Sequence, residues 1–258
     1  MEQTQKYSET VNCFRGAAIL SGDSYLIEND SWYQVVSPSR KDASRNEIIY
    51  SSLDEGNVEK KIEQTIDFYK KIGTSFKWCT GPETRPVNMA EKLREAGFRS
   101  WQARGMCCDP KKIDIDKNNA VSIERVTLAN LDSYLDAFIE GWSIDDSMRS
   151  LLEEDYQWAL SEKDERFHYF IGKANGEVVG TAGFIRKPRS AYLVCGNVLE
   201  RFRGEGYYKA LIKERLDLIL SLGLNLATTG ARELTSAPIL EKLGFETIYK
   251  SEIFQYDF

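Results

Sequence analysis

One short segment of this chain carries the residue types that hold an anion: Val198-Leu199-Glu200-Arg201-Phe202-Arg203-Gly204-Glu205-Gly206-Tyr207-Tyr208-Lys209. It lies between a strand-like run, Ala191 to Leu199, and a helical pattern from about Tyr207 to Leu222 with Ile212, Leu216 and Ile219 on one face. Two glycines let the backbone come close to a ligand. The first turn of a helix leaves several N–H groups without intrahelical partners, and with the helix dipole they favour an anion such as a pyrophosphate. Arg201, Arg203 and Lys209 add positive charge beside the turn. The chemistry this spacing supports is diphosphate binding. Two familiar phosphate loops do not fit: Gly204 does not open G-x-x-x-x-G-K-[ST], and Lys209 stands where the third glycine of G-x-G-x-x-G belongs.

Other chemistry is sparse. The cysteines, Cys13, Cys79, Cys107, Cys108 and Cys195, are odd in number and form no Cys-x-x-Cys pair, so reduced thiols in a cytosol are expected. With His168 the single histidine, and on a strand, it reads as structural and no metal site is expected. Acidic residues outnumber basic ones by 40 to 34, which argues against nucleic acid as a partner. The polar start and the charges that break Leu211–Leu224 predict neither a signal peptide nor a membrane span, hence a cytoplasmic protein.

The elements that must position the loop follow from the pattern. A charged stretch, residues 111–120, reads as a linker between residues 1–110 and 121–258. After it, Val121–Val126 alternates as a strand, and Thr127 caps a helix to Trp142. A second helix runs from Ser143 to about Leu160, and Asn175-Gly176 turns a hairpin. The order expected for 121–258 is β-α-α-β-β-β-α-β-α-β, an α/β sheet flanked by helices. The first half holds a helix at Ile62–Ile72, a strand at Phe76–Thr80, a helix at Asn88–Ala96 and a strand at Phe98–Cys108. Thr80-Gly81 followed by Gly97-Phe98 matches Thr229-Gly230 followed by Gly244-Phe245, which suggests a duplicated β-α-β unit.

With these residues in place, the chain resembles the GNAT acyltransferase superfamily, whose loop is written [RQ]-x-x-G-x-[GA]. Arg203-Gly204-Glu205-Gly206 after Val198 matches the usual R-G-x-G, while Tyr208 replaces the final small residue. The resemblance covers about 121–258, and residues 1–110 look like a degenerate copy without the loop, as in tandem GNAT proteins. It implies two GNAT-like domains, each a mixed central sheet flanked by helices. It further implies acetyl-CoA as cosubstrate, held by the backbone of Asn197, Val198 and Leu199 and by Arg203, Gly204, Glu205, Gly206, Tyr207 and Tyr208. The implied reaction is direct acetyl transfer to an amine of a small molecule or peptide by an N-acetyltransferase, in a monomer acting as an intramolecular pseudo-dimer or in a homodimer. A catalytically silent acyl-CoA sensor or scaffold is the alternative. The family's usual thiolate acid, a Tyr on the last helix, is Leu240 here, and its Asn is Glu233. That leaves Glu233, then Glu140, as candidate base, and water, Tyr249 or Tyr207 as the thiolate's proton source.

Overall fold

The structure, a computed structural model, describes residues 2–161 and 165–258. In chain order its elements are α1 (Gln3–Val11), β1 (Tyr25–Asn29), β2 (Trp32–Val36), β3 (Glu47–Ser51), α2 (Val58–Ile72), β4 (Phe76–Thr80), α3 (Met89–Glu95) and β5 (Arg99–Cys108). Then come β6 (Ser122–Arg125), α4 (Leu131–Trp142), α5 (Arg149–Ser161), β7 (Phe167–Ala174), β8 (Glu177–Arg186) and β9 (Ala191–Val198). The chain closes with α6 (Tyr207–Ser221), β10 (Ala227–Arg232), α7 (Ser236–Lys242) and β11 (Glu246–Tyr256).

Local chemistry explains most of the boundaries. Asn130 accepts the Thr127 backbone N–H at 2.7 Å, a cap that starts the turn leading into α4. The helix begins at Leu131, later than Thr127 implies, because a 3-10 turn over Leu128–Asn130 comes first. Gly73, at φ +63°, ends α2. The recurring Gly-Phe pair is one device used twice. Gly97 (φ +92°) and Gly244 (φ +96°) end α3 and α7 in the left-handed region. The next N–H, from Phe98 or Phe245, reaches back to Leu93 or Leu240 at 3.1 and 3.0 Å. Both phenylalanines are buried.

The chain divides into two compact units, along lines other than a cut at residues 110–120. One unit comprises Met1–Ile19, Met106–Gly230 and Ile239–Glu246; the other comprises Leu20–Gly105, Ala231–Pro238 and Thr247–Phe258. The first helix therefore belongs with later sequence: Lys6 pairs with Glu246 at 2.6 Å, and Glu9 holds Arg189 and Ser190 at 2.8 and 2.7 Å. The stretch read as a linker also packs within that first unit. Pro110 is buried, Ile113 lies against Gly244, and Asn118 bonds the loop before α6.

In the first unit the strands run β10-β9-β8-β7-β6. β6 to β9 are antiparallel neighbours, while β9 and β10 are parallel over Ala191–Leu193 and Ala227–Thr229. One core, with Leu131, Tyr134, Leu135, Tyr156, Tyr169 and Ile171, joins α4 and α5 to this sheet. A second, with Val179, Ala182, Val198, Tyr207 and Leu211, seats α6. In the other unit the order is β1-β2-β3-β4-β11-β5. β11 pairs antiparallel with β4, from Glu252↔Thr80 to Tyr256↔Phe76. Its core contains Trp32 and Trp78 edge to face at 5.2 Å, and Tyr69 stacked on Phe76 at 4.2 Å.

Candidate active site

The loop singled out by sequence sits where a bulged strand hands over to a helix. β8 and β9 pair Thr181 with Asn197 and Gly183 with Val194, so Cys195 and Gly196 together oppose Ala182 alone. Cys195 adopts φ +56°, rare for a side chain of its kind, and Thr181 donates its hydroxyl to the Cys195 carbonyl at 3.3 Å. A bulge of this sort bends its strand and re-aims the groups beyond it. The ladder with β10 has no register pair past Leu193 and Thr229. From Val194 onward, the β9 edge that faced β10 lacks that ladder.

Beyond the bulge, Gly204 (φ +94°) and Gly206 (φ +77°) are both left-handed, and Gly206 occupies the N-cap of α6. A side chain there costs about 1–2 kcal/mol per residue. Nothing lies within 4 Å of where a Gly204 side chain would begin. The first N–H groups of α6 thus open onto a bare glycine turn, the arrangement an anion needs. Asn118 donates to the Glu205 carbonyl at 3.0 Å and steadies the turn. Arg203 folds back to the Val198 carbonyl at 3.3 Å. Arg201, one of the three cations expected beside the turn, is paired with Glu140 and lies over Phe202.

The two tyrosines that follow differ in role. Tyr207 is buried in the apolar cluster with Val198 and Leu211, so its ring serves packing. Tyr208, which breaks the small-residue rule, packs beside Gly196, where an added Cβ would stand 3.4 Å from its ring. The Tyr208 hydroxyl bonds Arg215, a buried guanidinium that also donates to the Leu211 and Gly183 carbonyls at 3.0 and 3.3 Å. Burial pulls the Arg215 pKa down and pushes the Tyr208 phenol up, with each partly offsetting the shift of the other.

Toward α4 the bulge meets phenols. Tyr134 donates to the Tyr156 hydroxyl at 3.2 Å, and Tyr156 lies 3.7 Å from the Cys195 sulfur. Burial pushes both phenols well above their ordinary range, which keeps them neutral. Asn197 lies beneath Gly141 of α4 and opposite Thr181 of β8, and its backbone carbonyl stands 2.4 Å from where a side chain on the neighbouring Gly180 would begin.

Each candidate proton carrier is engaged by its own neighbours. Glu233 and Tyr249 belong to the other unit. Arg104 grips Glu233 through two bonds of 2.7 and 2.5 Å and holds its carboxyl below the usual range, which weakens it as a base. The Tyr249 ring lies flat on Gly105. Glu140 is spoken for by Arg201. Leu240, at the position of the usual acid, is buried. Among the described residues no cluster of His, Cys, Asp and Glu is arranged to hold a metal, and no helix is long and apolar enough to cross a membrane. The bulge at Cys195 was not foreseen, nor were the roles of Asn118 and Arg215. The available signal was the glycine at 180, 183 and 196 inside strands, which marks close backbone approach.

Residues 129–245 match the sequence model of the Acetyltransferase (GNAT) family. The fold as a whole is shared with solved structures at low identity. A functionally unknown conserved protein from Staphylococcus epidermidis ATCC 12228 superposes with a TM-score of 0.72 at 17% identity, over 95% of this chain and 97% of that one. A GCN5-related N-acetyltransferase from Kribbella flavida gives 0.71 at 11% identity, over 97% and 95%. A tandem GNAT protein from the clavulanic acid biosynthesis pathway gives 0.60 at 10% identity, over 99% and 95%. Among curated proteins none matches the sequence. The GNAT fold supports acyl-CoA-dependent N-acetyl transfer as a general activity.

Proposed function

We propose that the protein transfers an acetyl group from acetyl-CoA directly to an amine of a small molecule or peptide. The observation that carries this reading is the left-handed pair Gly204 and Gly206 at the N-terminus of α6, immediately after a bulged strand whose ladder with β10 has ended. The residues suit the cosubstrate on their own geometry. The N–H groups from Gly204 to Tyr208 donate to a diphosphate, that of Arg203 being held by the Glu200 carbonyl, and the β9 backbone at Val198, between Asn197 and Leu199 that bond β8, offers an edge for an extended arm. Bound acetyl-CoA supplies the activated acyl group as a thioester. The backbone N–H groups near Val198 polarise the thioester carbonyl as negative charge develops on its oxygen. The incoming amine gives up a proton and the departing thiolate is a fair leaving group, so no covalent enzyme species is needed. For the amine's proton, water is a better recipient than Glu233, given the Arg104 clamp.

Buried Leu240, where the family's acid stands, favours a second reading: a silent acyl-CoA-binding sensor. Both readings require the loop. Calorimetric titration with acetyl-CoA, beside a Gly206→Glu variant, tests it. We expect 1:1 binding that the variant loses, since Glu both strains φ +77° and sets a carboxylate against the diphosphate. Absence of binding by folded wild-type protein defeats both readings. Release of free thiol with any amine in a screen then separates enzyme from sensor.

A further inference from the structure

Among the described residues, Asn197 carries a buried carboxamide beside the loop with no hydrogen-bond partner. It is 9% exposed, and neither its Oδ1 nor its Nδ2 has a hydrogen-bond partner among the described residues. Leaving buried amide groups unpaired is costly, so such a group in a folded protein calls for an explanation. The space it occupies is kept clear. Gly141 of α4 sits where any side chain, even a methyl, would overlap the carboxamide. A glycine in the last turn of a helix otherwise lowers helix stability relative to alanine. Both features point the same way: α4 gives up a side chain to admit an amide that none of the described residues satisfies.

The backbone identifies the ligand. Asn197 lies on the part of β9 that follows the bulge, past the last register pair with β10. A chain laid along that edge in extended form meets the main chain at Val198, whose polar groups face away from β8, and passes the side chain of Asn197. The pantetheine arm of an acyl-CoA is such a chain, with two amide groups. A trans amide points its N–H and C=O apart, so a single one cannot satisfy both atoms of a carboxamide, whereas two successive amides can. We propose that Asn197 is a positioning residue for the acyl-thioester arm: Oδ1 accepts an arm N–H and Nδ2 donates to an arm C=O. The inference rests on the acyl-CoA reading above and adds a side-chain contact to the backbone ones. Its effect is to fix the axial position of the arm, and so of the thioester, against the bulge.

The test compares acetyl-CoA with 3′-phosphoadenosine 5′-diphosphate, which keeps the diphosphate and lacks the arm. Asn197→Leu preserves the shape and removes both polar atoms. By calorimetry it lowers acetyl-CoA affinity about tenfold, the scale of one or two net hydrogen bonds, and leaves the nucleotide's affinity unchanged. Because an unpaired buried amide is replaced by apolar groups, the ligand-free melting temperature holds or rises. Gly141→Ala, which displaces the carboxamide from α4, gives the same selective loss without touching β9. It also covers the case in which the Leu variant does not fold. Unchanged acetyl-CoA affinity in either folded variant overturns the inference, as does an equal loss for both ligands, which would mark a structural role. A folded wild-type protein that binds neither ligand overturns the acyl-CoA reading itself and the inference with it.

Discussion

His168, the single histidine of the chain, should make the fold acid-sensitive while taking no part in catalysis. It lies on β7, 3% exposed, with its ring stacked on Phe184 at 4.4 Å. Arg125 stands 2.9 Å from Nδ1. A guanidinium only donates, so Nδ1 accepts, the proton resides on Nε2, and Nε2 has no partner among the described residues. Protonating Nδ1 would break the Arg125 bond and place a second positive charge beside Arg125 and Arg186. Burial first, then those two charges, lowers the pKa from 6.5 to about 4. Above pH 6.5 the imidazole is neutral in both the folded and unfolded chain and favours neither. As pH falls below 6.5 the unfolded chain takes up the proton and the folded one does not, so stability is lost until the folded pKa is reached. At about 1.4 kcal/mol per unit, the loss at pH 5 is about 2 kcal/mol. Arg125 is exposed, and solvent screening of its charge brings the figure toward about 1 kcal/mol. The assay is urea unfolding at pH 7 and pH 5 for wild type and His168→Gln, which stays neutral throughout. Wild type should lose about 1–2 kcal/mol more than the variant on acidification, equivalent to about 2–8 °C in Tm. Equal losses, or an imidazole that titrates near 6.5 by NMR, would refute the reasoning.

Two other perturbations address the site. Asn118→Ala removes the bond to the Glu205 carbonyl that steadies the glycine turn. Acetyl-CoA affinity measured by calorimetry should fall about two- to tenfold, the worth of one net hydrogen bond, with little change in melting temperature. Glu233→Gln breaks the bidentate pair with Arg104. Once an amine substrate is found, its pH–rate profile should match that of wild type; loss of the limb that reports a general base would restore Glu233 to that role.

What the sequence alone determined was local. Helix stops at Gly73, Gly97 and Gly244 were legible because only glycine takes positive φ cheaply. The glycine turn was legible because its residues lie within a dozen consecutive positions, where spacing in the chain is spacing in space. The Gly-Phe repeat was legible too, although each copy is fully accounted for as a helix stop. What the tertiary structure decided was everything that depends on distant partners. α1 looks like part of the first half, but Lys6 and Glu9 tie it to Glu246 and Arg189. β11 looks like the end of the second half, but its ladder runs along β4. Strand pairing is a long-range choice that a strand's own alternation does not specify. The same holds for the catalytic candidates. Glu233 and Tyr249 occupy suggestive positions along the chain, yet a carboxylate's chemistry is set by its neighbours, and Arg104 is 129 residues away in sequence. Cys195 at positive φ and Asn197 without a partner have no signature in their own residue types. They follow from glycines at 141, 180, 183 and 196, whose missing side chains acquire meaning only when the backbone beside them is in place.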